Sequence, residues 1–150
     1  MSDPAGRSRV YALGDSLPER QRLLKQAERL RLHTRRFLQD AGLTIGMRVL
    51  ELGCGPGEVT ALLAELVGPE GGVVALERSP VMLAQARDRA NALGLNQVSF
   101  RECALDTTMA LPIPRDPPLD ALVGRLILTH LPDPATILRR ALAADPVIPL

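Results

Sequence analysis

The sequence predicts an α/β fold, a parallel sheet covered by helices on both faces and preceded by an N-terminal helix. Three observations carry this. Short apolar, partly β-branched runs alternate with segments of helical periodicity. Gly, Ser-Pro or Asp-Pro punctuates most of the junctions. The chain has 150 residues, 46% apolar and 23% charged, enough for one domain with a real core.

The elements follow in order. Residues 1–15 read as an arm rich in Gly, Ser, Asp and Pro. Ser16-Leu17-Pro18-Glu19 is a capping box that opens a helix over 16–42. Leu23, Ala27, Leu30 and Phe37 form its apolar stripe, and Gly42 stops it. Met47 to Leu52 reads as a buried strand, Gly53 to Gly57 as a tight turn, and Glu58 to Val67 as a helix closed by Gly68. Val73 to Leu76 is a second strand. Ser79-Pro80 starts a helix that ends at Gly94. Gln97 to Arg101 is a third strand, and a loop with four prolines leads to a fourth at Leu119 to Gly124. Asp133-Pro134 caps a last helix, which Asp145-Pro146 ends. Strands alternating with helices imply right-handed crossovers and a parallel sheet. Ligands of such sheets sit beyond the carboxyl ends of the strands, where the strand order reverses.

Composition excludes several classes. No window approaches 18 uninterrupted apolar residues, so no membrane span is expected. Arg7 and Arg9 have no apolar core behind them, so no signal peptide is expected and the cytoplasm is the default compartment. Two cysteines without Cys-x-x-Cys spacing, and two histidines, predict neither a disulfide scaffold nor a zinc site. The net charge of +1 hides an asymmetry. Residues 1–40 carry nine Lys/Arg against five Asp/Glu, while the remainder carries nine against twelve. The N-terminal cations alternate with Glu and Leu at helical spacing, and the aromatics are only Tyr11, Phe37 and Phe100. The pattern reads as a solvated helix face, and no nucleic-acid partner is expected.

Glu51-Leu52-Gly53-Cys54-Gly55-Pro56-Gly57 is the strongest local signal. It lies between a predicted strand and a helix, and Glu77 ends the next strand. Glycines allow positive φ and close ligand approach, and a carboxylate at that strand end suits an unphosphorylated ribose. A dinucleotide fingerprint would place Gly or Ala where this chain has Glu58, at the helix start that a diphosphate would occupy. The spacing suits a nucleoside ligand without phosphates, of which S-adenosylmethionine is the evident example.

Here the sequence resembles the class I S-adenosylmethionine-dependent methyltransferases, of the small-molecule, ubiquinone/menaquinone-biosynthesis type. The resemblance runs from about Tyr11 to Ala141. It rests on the glycine motif, on Glu77-Arg78-Ser79-Pro80-Val81-Met82-Leu83, and on Leu119 to Arg125 followed by His130-Leu131-Pro132-Asp133-Pro134. It implies a Rossmann-like three-layer sandwich with a mostly parallel sheet, four of the usual seven strands being present. It implies S-adenosylmethionine as cofactor and a small-molecule methyl acceptor. Gly53, Gly55 and Gly57, with Cys54 between them, would pass beneath the methionine part, and Glu51 would help fix its amino group. Glu77 would hold the ribose, Arg78 and Met82 would flank the adenine, and Gly124 and Arg125 would line the sulfonium side. Tyr11 and the N-terminal helix resemble the lid over the cofactor. Met82 also reads as plain core, Arg78 as a solvated surface residue, and the helix as a packing element.

Two departures from the family pattern stand out. The acid usually found after the third strand, which meets the adenine amino group, falls on Cys103 or Ala104. Either the backbone there serves the adenine, or Asp106 reaches in, or affinity is lower. The stretch from Ala144 to Leu150 carries two prolines and cannot supply a central fifth strand. The expectation is a C-terminally truncated domain over 43–144 with a tail at 145–150, and a fourth strand left as an exposed edge able to self-associate. His130, after the fourth strand, could act as a base or simply pack the loop. The functional expectation is methyl transfer to a small molecule. The alternatives are a non-catalytic S-adenosylmethionine-binding module and an NAD-dependent oxidoreductase.

Overall fold

The computed structural model describes residues 17–107, 111–113 and 117–144. Its elements are α1 (Leu17–Asp40), β1 (Arg48–Leu52), α2 (Glu58–Val67), β2 (Gly72–Glu77), α3 (Pro80–Ala92), β3 (Val98–Glu102), β4 (Ala121–Val123) and α4 (Pro134–Ala144). A 3-10 turn at Leu128–His130 precedes α4. The N-terminal arm with Tyr11, the capping residue Ser16 and the tail after Ala144 lie outside the described residues.

The four strands form one parallel sheet in the order β3-β2-β1-β4. The chain steps outward from β1 to β2 to β3, then returns to the other side of β1. The order therefore reverses between β1 and β4, which opens a crevice at their carboxyl ends. Register aligns the ends that matter. Glu51 lies opposite Ala75 of β2 and Val123 of β4, and Glu77 opposite Glu102 of β3.

Each face of the sheet has its own core. On one face Val49 and Val73 pack with Leu62, Leu63 and Val67 of α2 and with Leu38 of α1, while Ala75 packs with Leu83 and Ala86 of α3. On the other face Leu50, Leu52, Val74 and Leu76 meet Ile137 and Ala141 of α4, joined by Leu105 and Leu119. The central strands are apolar on both faces for this reason, so they read as continuous runs rather than alternating ones. β4 is different. It has three residues, all half-buried, and β1 is its one neighbour among the described strands.

Of the expected stripe on α1, Leu23 and Leu30 are half-buried, but the stripe fails at Phe37, which faces outward. Leu38 is buried at 5% exposure, whereas Phe37 is 71% exposed. Adjacent helical positions differ by about 100°, so a shift of one residue moves the buried face by more than a quarter turn. In this rotation Leu38 enters the core against α2 while Arg31 and Arg35 both reach Glu65 on α2. The Arg125 guanidinium also donates to Thr34 Oγ1 at 3.5 Å, which ties α1 to the loop after β4.

Candidate functional site

A cleft of about 290 Å³ opens at the reversal point. Its walls come from the loop after β1, the end of β2, the start of α3, the loop after β4 and the first turns of α1. The size is at the lower end of the range usual for small-molecule sites.

The loop after β1 is shaped by its glycines. Gly53, Gly55 and Gly57 have φ of 69°, 53° and 88°, the left-handed region that side chains resist. Two of them are also crowded. A Cβ on Gly53 would lie 2.7 Å from Ile127, and one on Gly57 would lie 2.9 Å from the Ala86 Cβ. At Gly55 a Cβ would meet nothing within 4 Å, so this glycine alone of the three has open space beside it. The loop is pinned to β2 by Cys54 N–H, which donates to Leu76 O at 2.9 Å.

Glu77 is 4% exposed at the end of β2. Its two carboxylate oxygens accept from the backbone N–H groups of Gly55 and Ser79, each at 2.9 Å. Thus the acid that ends one strand is bolted to the glycine loop after another. Ser79 completes the junction as N-cap of α3, accepting from Met82 N–H at 3.2 Å, with Pro80 following.

Glu51 is 2% exposed at the end of β1 and lines the same cleft. Thr60 Oγ1 donates to Glu51 Oε2 at 2.6 Å. Burial pushes the Glu51 carboxyl up to about 7, although the Thr60 hydroxyl and the Arg125 charge pull the other way. The half-buried Arg125 guanidinium is held below its usual value by its own desolvation, against the attraction of Glu51 and Glu58. Burial and the nearby carboxylates keep the Cys54 thiol protonated, well above the ordinary range. Burial likewise raises the Cys103 thiol. Both cysteines are therefore poor nucleophiles.

The structure brings Glu51, Gly53, Cys54, Gly55, Glu77, Met82, Arg125 and His130 together on the cleft wall. It places the others elsewhere among the described residues. Gly57 is packed behind the loop against Ala86. Arg78 is exposed, and Ala104 and Gly124 are exposed off the lining. Cys103 is drawn into the core beneath the sheet, and its N–H is spent on Glu77 O at 2.9 Å. Asp106 also lies off the lining. Met82 is both core and wall, 4% exposed. His130 is half-buried on the wall, in the 3-10 turn after β4.

Several wall residues were not foreseen. Arg22, Leu23 and Gln26 of α1 form one side. Arg22 and Gln26 are four apart, so they share a helix face, the only sequence signal for them. Thr60, the partner of Glu51, gave no signal. Glu58 lines the cleft at the start of α2 and pairs with Arg89 of α3. Arg89 offsets its charge, so Glu58 opposes a diphosphate less by charge than the sequence suggested and more by filling the helix start. Leu126, 52% exposed on the wall, has a φ of 59°, the one positive value for a non-glycine among the described residues.

The chain is similar to known proteins. A family model described as a methyltransferase domain matches residues 43–145. A 2-phytyl-1,4-naphtoquinone methyltransferase of Synechococcus elongatus is 38% identical over 112 residues, covering 73% of this chain and 46% of that protein. A protein-L-isoaspartate O-methyltransferase of Ignicoccus hospitalis is 48% identical over 63 residues, covering 42% of this chain and 30% of that protein. The chain thus spans less than half the length of these curated relatives. The crystal structure of an S-adenosylmethionine-dependent methyltransferase from Aquifex aeolicus superposes with a TM-score of 0.71 at 26% identity, over 84% of this chain and 66% of that one. The chain belongs to the methyltransferase-domain family, with the Rossmann-like fold of the class I S-adenosylmethionine-dependent enzymes.

Proposed function

We propose that this domain binds S-adenosylmethionine in the cleft and transfers its methyl group to a small-molecule acceptor. The observation that carries the reading is the Glu77 carboxylate, fixed by Gly55 and Ser79 at the reversal point of the sheet. A carboxylate offers about four lone-pair positions, and two are used by backbone N–H groups, so acceptor capacity remains for a ribose diol. The open space beside Gly55 lets a ligand lie against backbone. The buried Glu51 carboxyl is suited to an ammonium group, which would restore its charged form. Met82 supplies an apolar wall at the start of α3. The cleft residues thus fit a cationic nucleoside better than a diphosphate.

When bound, S-adenosylmethionine supplies an activated methyl group, whose S–C electron pair stays on sulfur as the acceptor atom attacks. The chain's task is to align and dehydrate, which contributes most of the rate in such displacements. Arg22, Leu23 and Gln26 of α1 close one side of the cleft against water. His130 lines the wall and is the proposed base for an acidic acceptor. Leu126 and Ile127 give the acceptor side an apolar surface. The two relatives act on a naphtoquinone and on a protein isoaspartate, so the scaffold alone does not select the acceptor.

Two further elements belong to the proposal. Both cysteines are free and buried, which supports a reducing compartment such as the cytoplasm. No helix among the described residues is long and apolar enough to cross a membrane. β4 is half-buried, and its second edge has no partner strand among the described residues; we propose that this edge serves self-association, which light scattering reads directly.

Incubation with S-adenosylmethionine carrying a labelled methyl group, across quinol, carboxylate and thiol acceptors, tests the function. The expected result is labelled product with stoichiometric S-adenosylhomocysteine. Saturable cofactor binding without product from any acceptor would favour a non-catalytic binding module instead.

A further inference from the structure

We propose that the outward face of α1 is a docking surface for an anionic lipid bilayer. The face is defined by packing. Thr34 and Leu38 turn toward the body of the protein, and Arg31 and Arg35 are committed to Glu65 of α2. The opposite side carries Arg22, Lys25, Arg29, Leu32, His33 and Arg36 at spacings of three and four, all exposed. Phe37 borders it on one flank and Leu32 on the other, at 71% and 72% exposure. These are two of the most exposed large apolar side chains among the described residues, and they flank this cationic stripe.

The charge on this face is not balanced locally. Arg22 pairs with Glu19 one turn back, but Lys25, Arg29 and Arg36 make no ion pair among the described residues. The nearby acids, Glu28 and Asp40, lie at the side and the end of the stripe. Cations interleaved with exposed Leu and Phe on one 24-residue helix form the pattern of a segment that lies in a lipid interface. Lys and Arg stems are long enough to keep their charges at phosphate level while Leu32 and Phe37 enter the acyl boundary. A nucleic acid would complement the charge but would leave Leu32 without a role, and a single aromatic gives almost no stacking platform. Bilayer chemistry uses both halves of the pattern.

The geometry also couples this face to the cleft. Arg22 belongs to the outward face and to the cleft wall. A chain lying on a bilayer through α1 therefore holds the cleft rim close to the headgroups, where an acceptor dissolved in lipid would be reached. The docking proposal itself depends on neither the cofactor nor the acceptor.

Flotation of the full 150-residue chain with vesicles tests it. Vesicles of phosphatidylcholine alone are compared with vesicles that also contain phosphatidylglycerol. The expected result is binding to the mixed vesicles only, weakened by salt. The triple variant Lys25→Gln, Arg29→Gln, Arg36→Gln should lower partitioning about a hundredfold, at roughly fivefold per lost cation. The double variant Leu32→Ser, Phe37→Ser keeps every charge and should lower it about tenfold. All five side chains are exposed, so thermal melts of both variants should match the parent and exclude misfolding. No binding of the parent to mixed vesicles would overturn the proposal. So would binding unaffected by the Leu32 and Phe37 changes, or tighter binding to an RNA or DNA duplex at equal salt. A failure here leaves cofactor binding untouched, because calorimetry reads that separately.

Discussion

The loops after β1 and β4 meet in one cleft, yet they reach their shapes by opposite means. The first, Gly53 to Gly57, uses glycine at each of its left-handed positions and is anchored to β2 through Cys54 and Gly55. The second, Gly124 to His130, places an exposed leucine, Leu126, at a φ of 59°. Non-glycine residues in that region carry about 1–2 kcal/mol of strain. The two loops interlock through Ile127, which is 6% exposed and fills the space beside both Gly53 and Gly124. The contrast separates a loop shaped by glycines, on the proposed cofactor side, from a strained loop on the proposed acceptor side. Strain of this kind persists only where the surroundings enforce it, and Ile127 provides that enforcement.

The interlock can be broken directly. Gly53→Ala combines a forced positive φ with a 2.7 Å clash against Ile127, and it should cost about 3 kcal/mol in chemical denaturation. Because the two sites touch, Gly53→Ala and Ile127→Ala together should cost clearly less than their sum, which a double-mutant cycle measures.

The electrostatic link between the loops is sharpened by Glu51→Gln. The Glu51 pKa is about 7 in the folded chain against a reference of 4.5, so the folded state holds this proton more tightly than the unfolded state. Its favourable contribution is present below the unfolded value and is lost as pH rises through about 7. Glu51→Gln mimics the protonated form. It should match the parent near pH 3.5, where both states are protonated, and exceed it by up to about 3 kcal/mol near pH 8, read by denaturant melts at both pH values. Binding of a cationic ligand beside Glu51 should run the opposite way, strengthening as the carboxyl ionises.

Smaller effects follow within each loop. Gly55→Ala meets no neighbour and bears only the left-handed φ, so its cost should be about 1 kcal/mol, well below that at Gly53. Leu126→Gly should raise stability by about 0.5 kcal/mol, the relieved strain less the added chain entropy, while enlarging the acceptor side. A thermal melt paired with acceptor kinetics would register both.

The same contrast explains what the sequence made legible. α2 spans Glu58–Val67, the bounds expected, because Gly57 and Gly68 bracket it with positive φ. The strand–glycine loop–helix unit and the acid ending β2 were readable for the same reason: local residues enforce them. β4 proved shorter than expected, Ala121–Val123; Asp120 before it still meets Arg48, its N–H donating to Arg48 O and its carboxylate accepting from Arg48 N–H, each at 2.8 Å. The 3-10 turn and the strain at Leu126 left no mark, since a leucine signals no turn. Nor could periodicity choose between Phe37 and Leu38 as the buried residue of α1, a choice made by Glu65 and α2 from far along the chain. The lid expected of the N-terminal helix named no residue of α1 itself, and that Arg22, Leu23 and Gln26 are the ones on the wall is decided only once the helix has docked.

In the proposed site the Glu77 carboxylate, fixed by two backbone N–H groups, is the group that receives the ribose of S-adenosylmethionine. Calorimetric titration of the parent and of Glu77→Gln with S-adenosylhomocysteine measures this most directly. One saturable site in the parent, weakened at least about tenfold in Glu77→Gln as a charge-assisted hydrogen bond is lost, is the predicted result. Absence of heat in the parent, or equal affinity in a folded Glu77→Gln chain, would contradict it.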